Sequence, residues 1–326
     1  MLLISVQDSS VVAEARRAAR EMAEDAGFSE VRAGAVSIVV TEAANNLLRH
    51  AGGGQLQLRR TSDSAVEVVA VDRGRGMANA QACLADGYST KGTSGTGLGA
   101  IRRASASFDV YSQVDRGTTL VSRIAITDEA AVGDRLGVMQ TPAMGETVCG
   151  DAWAIAEEGS SAVLLVADGL GHGPLAAEAA TAAVQSFARD PFIGPTALLE
   201  RCHLALRSTR GAAVAVAAID RVRGSVSYAG IGNITGVVSI GTQAVQMVSH
   251  NGTAGHHVRR IQEFQYSWRP GAALIMHSDG LGSQWNLSSY PGLQMRDPAL
   301  IAATLCRDHT RGRDDVTVLA WKGGAP

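Results

Sequence analysis

Twice in this chain an apolar run ends abruptly in Asp-Gly. LLVADGLGHG spans Leu164–Gly173, and ALIMHSDGLG spans Ala273–Gly282. A single Asp-Gly after a strand is an ordinary turn. Two of them, each at the end of a run apolar enough to be a buried strand, restrict the fold far more. They place carboxylates where interior strands reach the surface. Gly150-Asp151-Ala152-Trp153 adds a third acid at the start of an expected strand, and Asp314-Asp315-Val316-Thr317 adds a pair entering the last one. Carboxylates gathered from strand ends, with no cysteine or histidine cluster among them, describe a site for hard cations, Mg²⁺ or Mn²⁺.

The rest of the chain divides into two halves. At 326 residues it is too long for one ordinary core and suggests two domains. Hydrophobic residues make up 46% and charged residues 18%, a globular balance. The net charge of −2 favours neither nucleic acid nor an acidic membrane surface as partner. Cys83, Cys149, Cys202 and Cys306 are scattered without a CxxC pair, which argues against zinc or a disulfide framework and fits a reducing cytoplasm. MLLISVQDSS lacks the basic start and apolar length of a signal peptide, and no run has the length of a membrane helix. A cytoplasmic location is expected.

In the first half, helices are expected from Val11 to about Gly27 and over Arg32–Ala51. Strands are expected over Gln55–Arg60, Ala65–Val71, Phe108–Gln113 and Thr118–Ile126, and a glycine-rich stretch, Lys91–Gly99, runs into a helix from Ala100. The small, polar ITDEAAVG marks a linker, placed at 128–133. Beyond it strands dominate, interrupted by helices at Pro174–Arg189 and Pro195–Thr209. The fold class expected is α+β in two domains, with a sandwich in the second half.

Within TEAANNLLRH, Glu42 and Asn46 are four apart and share one helix face, which His50 continues. VDRGRG then puts Asp72 at a strand end, with Gly74 and Gly76 permitting close backbone approach. GTSGTGLGAIRR supplies a glycine loop opening a helix, whose N–H groups suit phosphate oxygens. Helical E-x-x-x-N, strand-D-x-G-x-G and a G-x-G-x-G loop, in that order, resemble the GHKL ATPase/kinase family. DGYSTKGTSGTGLGAIRR and DRGTTL are similar to its anti-sigma serine kinases of the stressosome switch type.

That resemblance covers residues 1–127 and implies a Bergerat-type ATP-binding α/β sandwich. By it Asn46 would hold the Mg²⁺ of ATP, and Asp72 would accept from the adenine amino group. Gly74, Gly76, Gly95, Gly97 and Gly99 would shape the pocket and its lid, with Lys91 within the lid. Glu42 would be the general base on an acceptor hydroxyl. A sensor histidine kinase module would need an upstream dimerising hairpin with a phosphoacceptor histidine, which the sequence does not display. His50 is assigned a structural part.

In the second half GDAW, ADGLGHG, SDGL and RDDVTVL resemble the metal-dependent PPM serine/threonine phosphatases, in their SpoIIE-like branch. NGTAGHHVRRIQEF fits the same branch. The match covers residues 134–326 and implies an α-β-β-α sandwich with two Mn²⁺ or Mg²⁺ ions at one end of its sheets. By position Asp151, Asp168, Asp279 and Asp314 would be ligands with the Gly169 carbonyl, and Asp315 would support them. Relatives often carry histidine two residues after the DG aspartate; Leu170 stands there, and His172 nearby is read as a loop residue.

Together the resemblances imply a bifunctional kinase-phosphatase. It would set the phosphorylation state of STAS-domain proteins, anti-sigma antagonists or stressosome scaffolds, with a sigma-factor regulator as a further partner. The alternative is a phosphatase whose ATP-binding half serves as a docking module.

Overall fold

The computed structural model describes residues 1–80, 97–127, 135–241 and 243–323. Gly95, Lys91, Cys83 and the 128–133 linker lie outside the described residues. The chain forms two compact units: residues 1–134 with Ala299–Arg307, and residues 135–298 with 308–326.

The first unit is built on β1 (Leu2–Val6), β2 (Gly54–Arg60), β3 (Ala65–Val71), β4 (Ser107–Gln113) and β5 (Gly117–Ala125). They form one antiparallel sheet in the order β1-β2-β3-β5-β4. Two helices cover one face, α1 (Ser9–Asp25) and α2 (Glu30–Ala51), followed in the chain by the short α3 (Gly97–Ala104). Alternation decides which strand residues meet the helices. Leu56, Leu58, Val66, Val68, Leu120 and Ile124 point into a core with Ala15, Ala19, Val36, Val40 and Leu47. The helices begin where capping chemistry puts them: Asp8 accepts from the Ser10 amide, and Ser29 from the Arg32 amide. Gly52, left-handed at φ 73°, ends α2. On the other sheet face, Glu67 is shared by two arginines, Arg59 at 2.9 Å and Arg123 at 2.7 Å.

The second unit contains two five-stranded antiparallel sheets. The first is β15-β10-β9-β8-β7, made of Phe264–Ser267, Ser225–Ile231, Ala212–Asp220, Ser161–Gly169 and Asp151–Glu158. The second is β12-β11-β16-β17-β6, made of Gln243–Met247, Thr235–Ile240, Ala273–His277, Val316–Lys322 and Leu136–Thr141. A small β13–β14 hairpin, Gly252–Thr253 with His257–Val258, is separate. Period two along β8 sorts the layers. Ala162, Leu164 and Val166 face the other sheet and its Leu274, Leu319 and Trp321. Val163, Leu165 and Ala167 face α4 (Pro174–Ala188) and α5 (Pro195–Ala205) through Ala179, Ala183, Leu198 and Leu199. Both helices carry proline in the first turn, as expected.

Some elements escaped the sequence reading. β1 is one, its LLISV weighed only as a leader. β12 and β15 are others, short and largely polar on their outer faces. The α6 helix (Pro298–His309) is the largest omission. Its Ala299, Leu300, Ile301, Ala302, Ala303, Leu305 and Cys306 are all buried, so it has no polar stripe to give a helical period.

Glycine freedom matters most at Gly117. It sits at φ 91°, and a Cβ there would lie 2.1 Å from the Asp72 carbonyl oxygen. Gly117→Ala should therefore destabilise the first unit by about 2 kcal/mol, checked by chemical denaturation beside the wild type.

Candidate functional site

Register brings the acidic residues of the second unit together. Asp151 opens β7 and Asp168 lies at the end of β8, and the antiparallel ladder pairs them directly. The Gly169 amide donates to the Gly150 carbonyl at 3.2 Å. In the other sheet Asp279 follows β16 and Asp314-Asp315 precede β17, where the Ser278 amide donates to the Thr317 carbonyl at 3.1 Å. Ser278 ties the two sheets: its hydroxyl donates to Asp151 Oδ2 at 2.6 Å and accepts from the Thr317 amide at 2.9 Å. Gln140 Nε2 donates to the Asp151 carbonyl at 2.8 Å, the Ala143 amide to Asp315 Oδ1 at 2.8 Å, and Asn233 Nδ2 to Asp279 Oδ2 at 2.7 Å. Gln140, Asn233 and Ser278 carried no sequence signal, except that Ser278 precedes the second Asp-Gly.

Three glycines let the backbones close in. A Cβ at Gly169 would lie 2.0 Å from the Ala176 carbonyl oxygen, and one at Gly280 2.1 Å from that of Asp315. At Gly150 it would lie 2.5 Å from Asp315 Oδ2.

Asp151 and Asp315 are buried; Asp168, Asp279 and Asp314 are half-buried. Burial pushes the Asp168 carboxyl well above the usual carboxylate range, to about 9, and the negative charges of Asp151, Asp279, Asp314 and Asp315 push the same way. Asp151 is raised mainly by burial, against the hydrogen bonds from Ser278 and Thr317 that lower it. Asp279 is raised by burial and by Asp314, while Arg311 and Asn233 oppose the shift. Asp151 Oδ1 is buried with no hydrogen-bond partner among the described residues. An all-oxygen donor set with an orphaned buried carboxylate oxygen fits a hard divalent cation. Among the described residues no three acidic, histidine or cysteine side chains already converge as a closed ligand group. The carboxylates share one end of the sheets without closing on a common point.

In the first unit, Glu42 and Asn46 both face the start of α3. A Cβ on Gly97 would lie 3.1 Å from Asn46 Oδ1 and 3.2 Å from Glu42 Oε2. Asn46 Nδ2 is buried and lacks a partner among the described residues. Gly99 is buried inside α3. Asp72 Oδ1 accepts from the Gly74 amide at 2.7 Å and the Thr118 amide at 3.2 Å, and burial raises its carboxyl against those bonds. Gly74 packs on the end of α2, where a Cβ would lie 2.8 Å from Ala51 Cβ, and Gly76 (φ 64°) presses on the Gln113 carbonyl. The Glu42–Asn46–His50 stripe thus runs about 12 Å along α2, from the Gly97 end toward the Asp72 loop. That span, with the unmatched Asn46 amide midway along it and the Asp72 carboxylate beyond its far end, suits a nucleoside triphosphate.

Fold and site define a metal-dependent phosphatase sandwich of PP2C type joined to a kinase-like ATPase sandwich. The chain belongs to the Stage II sporulation protein E (SpoIIE) family, whose model matches residues 158–322, and a histidine kinase-like ATPase domain matches residues 6–124. Two Bacillus subtilis (strain 168) proteins are similar to its halves. Serine/threonine-protein kinase RsbT is 29% identical over 33% of this chain and 84% of its own length. Phosphoserine phosphatase RsbX is 26% identical over 44% of this chain and 73% of its own. A solved structure from work on the bacterial stressosome as a modular system controlling secondary messenger signaling superposes with a TM-score of 0.54 at 27% identity, covering 57% of this chain and 97% of that one. RsbX in complex with magnesium superposes with a TM-score of 0.50 at 21% identity, covering 57% and 94%, and so shares the fold. Among the described residues no helix is long and apolar enough to cross a membrane.

The carboxylate crowding has a measurable sign. The folded pKa of Asp168 lies above the ordinary value of 3.8, so the fold holds this proton more tightly than the unfolded chain. Below 3.8 both states are protonated and nothing is lost. As pH rises from there toward about 9, the unfolded chain ionises first and metal-free stability falls. Asp168→Asn removes that liability. Calorimetry of the metal-free protein at neutral pH should show the variant melting higher than wild type, with a smaller stability increment on adding Mn²⁺.

Proposed function

We propose that the chain is a bifunctional switch that both adds phosphate to, and removes it from, serine or threonine on STAS-domain partner proteins, and through them governs a sigma-factor regulator. The observation that carries this is the retention of both chemical sets. Glu42 and Asn46 face one glycine-opened helix, and Asp151, Asp168, Asp279, Asp314 and Asp315 are brought to one sheet end. The names of the two Bacillus relatives, a serine/threonine kinase and a phosphoserine phosphatase, supply the reaction classes, and the similar structure from work on the bacterial stressosome supports that setting. The domain assignment proposed is 1–127 for the kinase and 134–326 for the phosphatase.

In the phosphatase half Asp151, Asp168, Asp279, Asp314 and the Gly169 carbonyl would hold two Mn²⁺ or Mg²⁺ ions, with Asp315 in support. Such ions neutralise phosphoryl charge and make water acidic enough to attack at neutral pH. The protein's own part is to fix these groups before substrate arrives: Ser278 holds the Asp151 carboxylate and Gln140 its main-chain carbonyl, Asn233 holds Asp279, and the Ala143 amide holds Asp315. In the kinase half Asn46 would hold the Mg²⁺ of ATP, Asp72 the adenine, and Gly74, Gly76, Gly95, Gly97 and Gly99 the pocket. ATP supplies the transferred phosphoryl group. Glu42 would take the hydroxyl proton of the acceptor.

Titrating Mn²⁺ into the full chain while following aryl phosphate hydrolysis tests the phosphatase half. Asp151→Asn and Asp279→Asn should each lower the metal-dependent rate about 100-fold or more. For the kinase half, Glu42→Gln should still bind ATP while transfer to a STAS partner falls about 100-fold or more. Wild type that binds ATP and transfers nothing would make the first half a docking module instead.

A further inference from the structure

In the sequence α6 lies between Asp279 and Asp314, two of the proposed metal ligands. Yet most of it, Ala299–Arg307, belongs to the compact body of the first unit. Within that body its second half meets the backbone around Asp72. Thr304 Oγ1 lies 3.1 Å from Thr119 Oγ1, and both residues are buried. Arg73 Nη2 donates to the carbonyl of Arg307 in the last turns of α6. Carbonyls at a helix end take partners from outside the helix. The Asp72 loop has little slack of its own, since the Thr118 amide donates to Asp72 Oδ1 and Gly117 presses on the Asp72 carbonyl. Burial raises the Asp72 carboxyl, and the Arg307 guanidinium is among the groups that oppose the rise. From Asp308 onward the chain is part of the second unit. There the Tyr290 hydroxyl donates to Asp308 Oδ2 at 2.9 Å and lies 2.9 Å from His309 Nε2. The Gly282 amide donates to the His309 carbonyl at 2.8 Å, and the Arg311 amide to the Gly280 carbonyl at 2.9 Å. Those two bonds fasten the end of α6 to the Asp279-Gly280-Leu281-Gly282 turn, just upstream of Asp314.

We propose that α6 is a coupling element through which an adenine nucleotide bound at Asp72 slows hydrolysis at the carboxylate end of the second unit. The inference rests on both halves of the function proposed above. The links are short and continuous. Asp72 adjoins Arg73, Arg73 holds the Arg307 carbonyl, a peptide bond joins Arg307 to Asp308, and His309 and Arg311 grip the turn that carries Asp279. A ligand amino group donating to Asp72 draws on this loop, and the pull passes to the end of α6. Packed side chains do not deform continuously, so such an element shifts between discrete arrangements. The direction follows from the two reactions. Adding and removing phosphate on one chain cancel each other unless the state loaded for transfer is the state that does not hydrolyse. Coupling of this kind is reciprocal: cations closing the carboxylate site weaken nucleotide binding by the factor with which nucleotide weakens closure.

The test uses the full chain, p-nitrophenyl phosphate and a non-hydrolysable ATP analogue, with free Mn²⁺ held constant as the analogue is added. Wild-type hydrolysis should fall about 5-fold or more as the analogue binds. Asp72→Asn should lose both the binding and the response, which separates this effect from a triphosphate competing at the carboxylates. Arg73→Ala, a change at an exposed residue, should still bind the analogue while hydrolysis no longer responds. Calorimetry gives a reading that needs no turnover. In saturating Mg²⁺, Asp151→Asn should bind the analogue about 5-fold or more tightly than wild type, and the gain should vanish when Arg73→Ala is added. Hydrolysis indifferent to bound analogue, or a response that survives Asp72→Asn or Arg73→Ala, overturns the coupling. Wild type that binds no analogue overturns the ATP reading, and wild type inactive at every Mn²⁺ concentration overturns the phosphatase reading; either takes this proposal with it.

Discussion

Mutual repulsion of buried carboxylates is the constraint on which the second half is organised. Asp151, Asp168, Asp279, Asp314 and Asp315 come from two different sheets, and nothing in a hydrophobic core gains from meeting them. Burial, and after it the charges of Asp151, Asp279, Asp314 and Asp315, raises the cost of ionising Asp168. A fold tolerates such a centre only if the surrounding layers are strong enough to absorb it. Here they are: two five-stranded sheets interdigitate through Leu164, Val166, Leu274, Leu319 and Trp321, and α4 and α5 seal one outer face. Stability is concentrated in the layers and given up at their end.

Holding the carboxylates apart by the right distance is a separate task, and backbone does most of it. The β7–β8 register sets Asp151 opposite Asp168. Ser278 then locks one sheet to the other through a hydroxyl that both donates and accepts. Gly150, Gly169 and Gly280 are needed because each lies where a methyl group would collide with a carbonyl or carboxylate oxygen. Leaving Asp151 Oδ1 without a protein partner is costly in an apolar interior, and a cation is the natural relief.

Much of this was legible in the sequence because the chemistry sits at strand ends. An apolar run broken by Asp-Gly announces both the strand and the acid, so β8, β16 and β17 were placed with their carboxylates. Proline at the first turn marked α4 and α5. Glu42 and Asn46 were found by helical spacing, and the structure sets both against Gly97. The failures have physical reasons. α6 is buried all round and has no amphipathic period. Gln140, on β6, and Asn233, in a loop, act through side-chain hydrogen bonds to residues distant in sequence, which leave no local pattern.

Under the proposed function the two halves would handle a phosphoryl group with unlike residue sets, and charge accounts for the difference. A nucleoside triphosphate brings its own oxygens for a divalent cation, so a single neutral amide, the proposed Asn46, would suffice to complete the coordination. A carboxylate cluster there would repel the triphosphate. A phosphoserine brings one phosphoryl group with fewer oxygens to share, so in the proposed site the protein would itself supply the charge that retains the cations, through Asp151, Asp168, Asp279 and Asp314. The proposed base, Glu42, is the carboxylate that faces Gly97 beside Asn46. One carboxylate can take a proton from an incoming hydroxyl without disturbing the anionic nucleotide. Hydrolysis of a phosphoserine is a different reaction, in which water replaces the hydroxyl as attacking group and the side-chain oxygen leaves.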